Sequence, residues 1–157
     1  MAKIILFIAS SEDGFIADSI GAVDWLPQPK NEEDLVTVGY KKLMVSVDTI
    51  IMGRASFEQI KTFGPWAWQD KHTYVFTSKT IKGLPSHIIS TCETPSEFTK
   101  KIKLDKKFGD IWLLGGAKLA QSFARDKLID EIILTIIPQK LGEGIALAID
   151  LSKFIRE

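Results

Sequence analysis

Apolar residues cluster in short runs along the chain, at Ile4–Ala9, Thr49–Met52, Thr73–Thr77, His87–Ser90, Asp110–Leu114 and Glu131–Ile137. The runs are rich in β-branched residues and nearly continuous rather than alternating, as expected of strands covered on both faces in a mostly parallel sheet. Between them the spacing changes to three and four. Val36, Tyr40, Leu43, Met44 and Val47 form one stripe, which predicts a helix over Glu32–Val47 with Asn31 as its cap. A second short helix follows "GRAS" and turns Phe57 and Ile60 inward. In "TPSE", Thr94 stands at an N-cap, Pro95 at the first helical position and Glu97 where a capping box needs it, so a third helix buries Phe98 and Ile102. A fourth begins at Gly115-Gly116 and buries Leu119, Phe123 and Leu128. Strands alternating with helices define an α/β fold, with helices flanking a mostly parallel central sheet.

The 157 residues are enough for one domain with its own core. Basic and acidic residues balance at 20 each, so bulk charge selects neither nucleic acid nor an anionic membrane. Cys92 is the only cysteine, and His72 and His87 are the only histidines. That excludes an internal disulfide, leaves too few soft ligands for zinc, and points to the reducing cytoplasm. The first apolar run ends at Ala9, too short for a signal peptide or a membrane span.

Candidate chemistry gathers where strands end. "IIMGRAS", "VFTSK" and "LLGGAK" each close an apolar run with small, polar or glycine residues and then turn. In an open parallel sheet, ligands collect outside such carboxyl ends, where helix N-termini offer unpaired N–H groups to phosphates. Arg54 after Gly53, and Ser78 with Lys79, supply the fork donor, hydroxyl and cation that hold a phosphate monoester. The Gly115-Gly116 corner bears no charge before Lys118 and suits a pyrophosphate held by backbone amides. In "GPWAWQDK", Trp66 and Trp68 either stack a ligand or cover a core edge or subunit contact, the second being the commoner use of such aromatics. No G-x-G-x-x-G follows the first strand and no P-loop is present, so the common dinucleotide and kinase-type fingerprints are absent.

Residues 8–26 ("IASSEDGFIADSIGAVDWL"), 48–58 ("DTIIMGRASFE"), 75–79 ("VFTSK") and 111–123 ("IWLLGGAKLAQSF") resemble, in order and spacing, the dihydrofolate reductase-like superfamily. Within it they are most similar to the reductase domain of bacterial riboflavin biosynthesis, and "LTIIPQKLGEGIAL" extends the match. The resemblance implies a three-layer αβα reductase domain over residues 1–157 that binds NADPH across the strand ends. It places Gly53, Arg54, Ala55 and Ser56 on the adenosine and phosphate side, and Thr77, Ser78 and Lys79 around the 2′-phosphate. It places Gly115, Gly116, Ala117, Lys118 and Leu119 on the pyrophosphate and nicotinamide-side ribose, with Ala9 and Ile16 at the carboxamide. Asp13-Gly14 reads as a tight turn opening an active-site loop, and Asp24, Trp25 and Tyr40 fall on the substrate side.

The implied activity resembles that of 5-amino-6-(5-phosphoribosylamino)uracil reductase, with hydride transfer to a pyrimidine- or pteridine-linked small molecule. Two alternatives stand beside it, a dihydrofolate reductase and a non-catalytic NADP-binding module. Val36 stands where dihydrofolate reductases carry a helix carboxylate, and Asp34 is two residues out of register, about 200° around the helix. Asp13, Asp24 and Asp34 are candidate proton donors with no role assigned. The family's last hairpin has no counterpart after "AIDLSKFIRE", which would leave "EIILTII" as an apolar edge, covered in a homodimer or belonging to a shortened, partly disabled version.

Overall fold

Successive side chains of a strand point to opposite faces, and here that alternation sorts the core into two layers. The computed structural model describes residues 2–17, 35–105, 108–137 and 140–147. Its strands are β1 (Ile4–Ser11), β2 (Phe15–Ala17), β3 (Val47–Gly53), β4 (His72–Phe76), β5 (Ile88–Thr91), β6 (Asp110–Gly115), β7 (Glu131–Ile137) and β8 (Ile145–Ala146). The helices are α1 (Leu35–Ser46), α2 (Arg54–Lys61), α3 (Pro95–Leu104) and α4 (Ala117–Arg125). Six strands form one sheet in the order β5-β4-β3-β6-β1-β7, every neighbouring pair parallel, and β2 pairs antiparallel with β8.

On β1, Ile4 and Leu6 pack with Phe98, Ile102, Ala120 and Phe123 of α3 and α4. Ile5 between them packs with Leu43 of α1 and Phe57 of α2. On β3, Ile51 joins the first cluster while Ile50 and Met52 join the second. The sheet is thus covered on both faces, which is why its strands read as continuous apolar runs. No helix among the described residues is long and apolar enough to cross a membrane.

The threonine cap forms, with Thr94 Oγ1 accepting from the Glu97 N–H at 3.2 Å, and Phe98 and Ile102 are fully buried. Among the described contacts the Glu97 side chain makes no return bond to the Thr94 N–H, so the capping box is half closed. Other boundaries moved. The helical stripe runs to Val47 in sequence, yet α1 stops at Ser46 and Val47 opens β3, where it pairs with Asp110. The buried Lys71 ammonium sits at that break and donates to the carbonyls of Met44 at 2.9 Å and Val47 at 2.8 Å. The second helix starts at Arg54, inside "GRAS" rather than after it. His87 precedes β5 in a turn, and Leu119 and Leu128 are partly rather than fully buried. Trp66 and Trp68 pack on the α1/α2 core. The predicted start of the first helix, with Asn31 and Glu32, lies outside the described residues.

Candidate functional site

Because all six strands of the main sheet run parallel, their carboxyl ends share one side, and a cavity of about 1060 Å³ opens there. Phe7, Ile8 and Ala9 of β1 and Trp112 and Leu114 of β6 form its floor. Tyr40 of α1 and Phe63, just past α2, close one side, while Ile16 and Ile145 of the β2/β8 pair close another. The first turns of α2 and α4 supply Arg54, Ala55, Ser56, Ala117, Lys118 and Leu119.

Those two helices start without a side-chain cap. Gly53 caps α2 and Gly116 caps α4, neither helix has an acid in its first turn, and both glycines line the cavity. By contrast α3, which packs beside α4, carries both a threonine cap and Glu97. The uncapped N–H groups and positive dipole ends therefore face the same space. The two corners approach closely: a Cβ on Gly53 would lie 4.0 Å from the Gly116 nitrogen, and one on Gly116 would lie 3.3 Å from Ser56 Oγ. Gly115 has φ +125°, a conformation open to glycine, and is joined to Gly116 by a cis peptide. Backbone lies bare at this corner, and the residues there fit a pyrophosphate.

Arg54 and Lys118 are the cations of the cavity wall, and no carboxylate lines it among the described residues. Arg54 Nε donates to Glu58 Oε1 at 2.9 Å, and Lys61 reaches the other oxygen at 3.3 Å. These contacts, Arg54 first, hold the Glu58 carboxyl below its ordinary range. Arg54 is half-exposed, so the pair is a weak tether that an incoming anion can displace.

Of the cofactor residues expected from sequence, Ala9, Ile16, Gly53, Arg54, Ala55, Ser56, Gly116, Ala117, Lys118 and Leu119 share this one wall, as does Tyr40. Gly115 lies buried just beneath it. Thr77, Ser78 and Lys79 do not line it; they form a closed turn after β4 in which Thr77 Oγ1 donates to the Lys79 carbonyl and accepts from its N–H. Asp24, Trp25 and Asp34 lie outside the described residues. Sequence reasoning passed over Phe7, Trp112 and Ile145, since an aromatic in an apolar run signals core and a two-residue strand signals nothing.

Asp13 is not built as a proton donor. Its carboxylate accepts from Ser11 Oγ at 2.5 Å and from the N–H groups of Gly142 at 2.8 Å and Leu141 at 3.2 Å. These bonds, the serine first, hold its pKa down at about 2.

A six-stranded, helix-flanked parallel sheet with a glycine-edged cavity at its strand ends is a three-layer αβα fold, and its superposition on solved structures makes that fold dihydrofolate reductase-like. The chain belongs to the RibD C-terminal domain family, whose model matches residues 2–155. Two Bacillus subtilis relatives are the uncharacterized proteins YwjB, 40% identical over 146 residues, and YyaP, 34% identical over 166 residues. Those alignments cover 92% and 98% of this chain, and 82% and 84% of the respective relatives. Among solved structures, a putative riboflavin biosynthesis protein from Shewanella sp. PV-4 superposes with a TM-score of 0.78 at 29% identity, covering 94% of this chain and 82% of that one. Dihydrofolate reductase from Enterococcus faecalis, complexed with NADP(H) and RAB-propyl, superposes at 0.67 with 19% identity, covering 96% and 80%; it is similar in fold.

Proposed function

We propose that the chain is an NADPH-dependent reductase of a pyrimidine- or pteridine-linked substrate, most like the riboflavin-pathway reductase of ribosylaminopyrimidines. The observation that carries this reading is the pair of uncapped helix starts, at Gly53 and Gly116, edging one large cavity. A bound NADPH would supply the hydride. The chain's own part is to hold and orient: the α2 and α4 amides and Lys118 take phosphate charge, while Phe7 and Trp112 offer flat apolar surface and keep water out. Arg54, released from Glu58, reads the 2′-phosphate beside the Ser78–Lys79 turn. With no carboxylate on the described cavity wall, orientation carries more of this proposed chemistry than acid catalysis from these elements.

The same reading places the protein in the cytoplasm as a homodimer covered along β7, which pairs only with β1 among the described residues and exposes Ile136. The test of function is to add NADPH and 5-amino-6-(5-phosphoribosylamino)uracil and follow the nicotinamide absorbance. Its loss supports the reductase; cofactor binding with no turnover favours the non-catalytic module.

A further inference from the structure

We propose that the Tyr40 hydroxyl recognises the substrate, committed by Trp68 to donate into the cavity, so that the site takes a planar heterocycle through a ring carbonyl. The proposal deepens the reductase reading and rests on it for the class of substrate. A phenol has one hydrogen to donate and lone pairs to accept with, whereas an indole N–H only donates. Trp68 Nε1 donates to the Tyr40 oxygen at 2.8 Å, so Tyr40 is the acceptor there and its own hydrogen must go elsewhere. No described residue accepts it, and the tyrosine lines the cavity. Accepting from Trp68 also polarises the O–H and makes it a better donor.

The ring cannot readily turn away. Tyr40 meets Trp112 edge-on at 5.9 Å, Trp112 meets Trp68 at 5.4 Å, and the Trp68–Tyr40 bond closes the triangle. Trp112 is fixed in turn by its Nε1 bond to the Phe7 carbonyl at 3.2 Å. The loop that carries Trp68 is tied to the end of α1 by Lys71.

Position supplies the selectivity. The other polar side chains of the wall, Arg54, Ser56, Gln59 and Lys118, all belong to α2 and α4. A flat ring against Phe7 and Trp112 therefore meets Tyr40 as the donor on its side. A neutral donor there, with no carboxylate on the described wall, suits a carbonyl acceptor rather than an amidine that seeks a negative partner.

The probe is pteridine-2,4-dione, titrated by fluorescence into the wild-type protein, Tyr40→Phe, and a variant with Trp68 replaced by 3-benzothienylalanine, which keeps the shape of indole and lacks its N–H. Tyr40→Phe is expected to weaken the probe about three- to tenfold while melting cooperatively and binding NADPH like wild type. The Trp68 replacement is expected to weaken it about twofold in the Tyr40 background and not at all in Tyr40→Phe, because it acts through the hydroxyl. Unchanged probe affinity in Tyr40→Phe, a Trp68 effect that persists without the hydroxyl, or no binding to folded wild type at millimolar probe would each overturn the proposal. Probe binding through Tyr40 with no NADPH binding would instead overturn the reductase reading and leave this one standing.

Discussion

The carboxylate of Asp13 accepts from the backbone N–H of Gly142 at 2.8 Å, joining positions 129 residues apart. That bond fastens the turn after β1 to the segment entering β8, and the pair it brings together places Ile16 and Ile145 on the cavity wall. The Gln121 amide on α4 adds a second tie, donating to the Leu147 carbonyl at 2.9 Å.

Asp13 should therefore titrate far from an ordinary aspartate. Its folded pKa of about 2 lies below the usual 3.8, so the latch contributes stability above pH 3.8 and loses it as pH falls through about 2. The Gly142 amide resonance is expected to move with a midpoint near 2 and to stop titrating in Asp13→Asn. A midpoint near 3.8 would mean that the latch does not form in solution.

Lys71→Met is expected to destabilise the fold by about 1–3 kcal/mol, since it strips the donor from two carbonyls at the α1–β3 break. Urea unfolding measures this, with Thr94→Ala as a comparison: it should cost about 1 kcal/mol through the α3 cap and leave the cavity untouched.

The glycine corner separates strain from space. Gly115→Ala should cost about 1–3 kcal/mol of stability, because φ +125° is unfavourable for any residue with a Cβ. At Gly116 the φ is ordinary and the added methyl meets only Ser56 Oγ at 3.3 Å, so Gly116→Ala should melt close to wild type while weakening NADPH. Equal melting of the two variants would contradict this division.

What sequence made legible here was local. Strands between two helical layers must be apolar on both faces, so their runs stood out, and Thr94 with Pro95 announced α3 at short range. The cavity's glycine corners were readable for the same reason, since each follows directly on a strand. What escaped depends on long-range partners: Lys71 in "WQDK" reads as a solvated loop cation until the end of α1 is brought to it. Likewise "FIA" and "IA" are too short to predict a pairing across the whole chain. Trp68 was legible as a packing residue, but its bond to Tyr40 was not.

The central claim, a 2′-phosphate-reading dinucleotide site at the Gly53 and Gly116 corners, is tested most directly by calorimetric titration of NADPH and NADH into wild type and Arg54→Ala. Wild type is expected to prefer NADPH, and Arg54→Ala to lose about 1.5 kcal/mol toward NADPH and little toward NADH. Failure of folded wild type to bind either cofactor would contradict it.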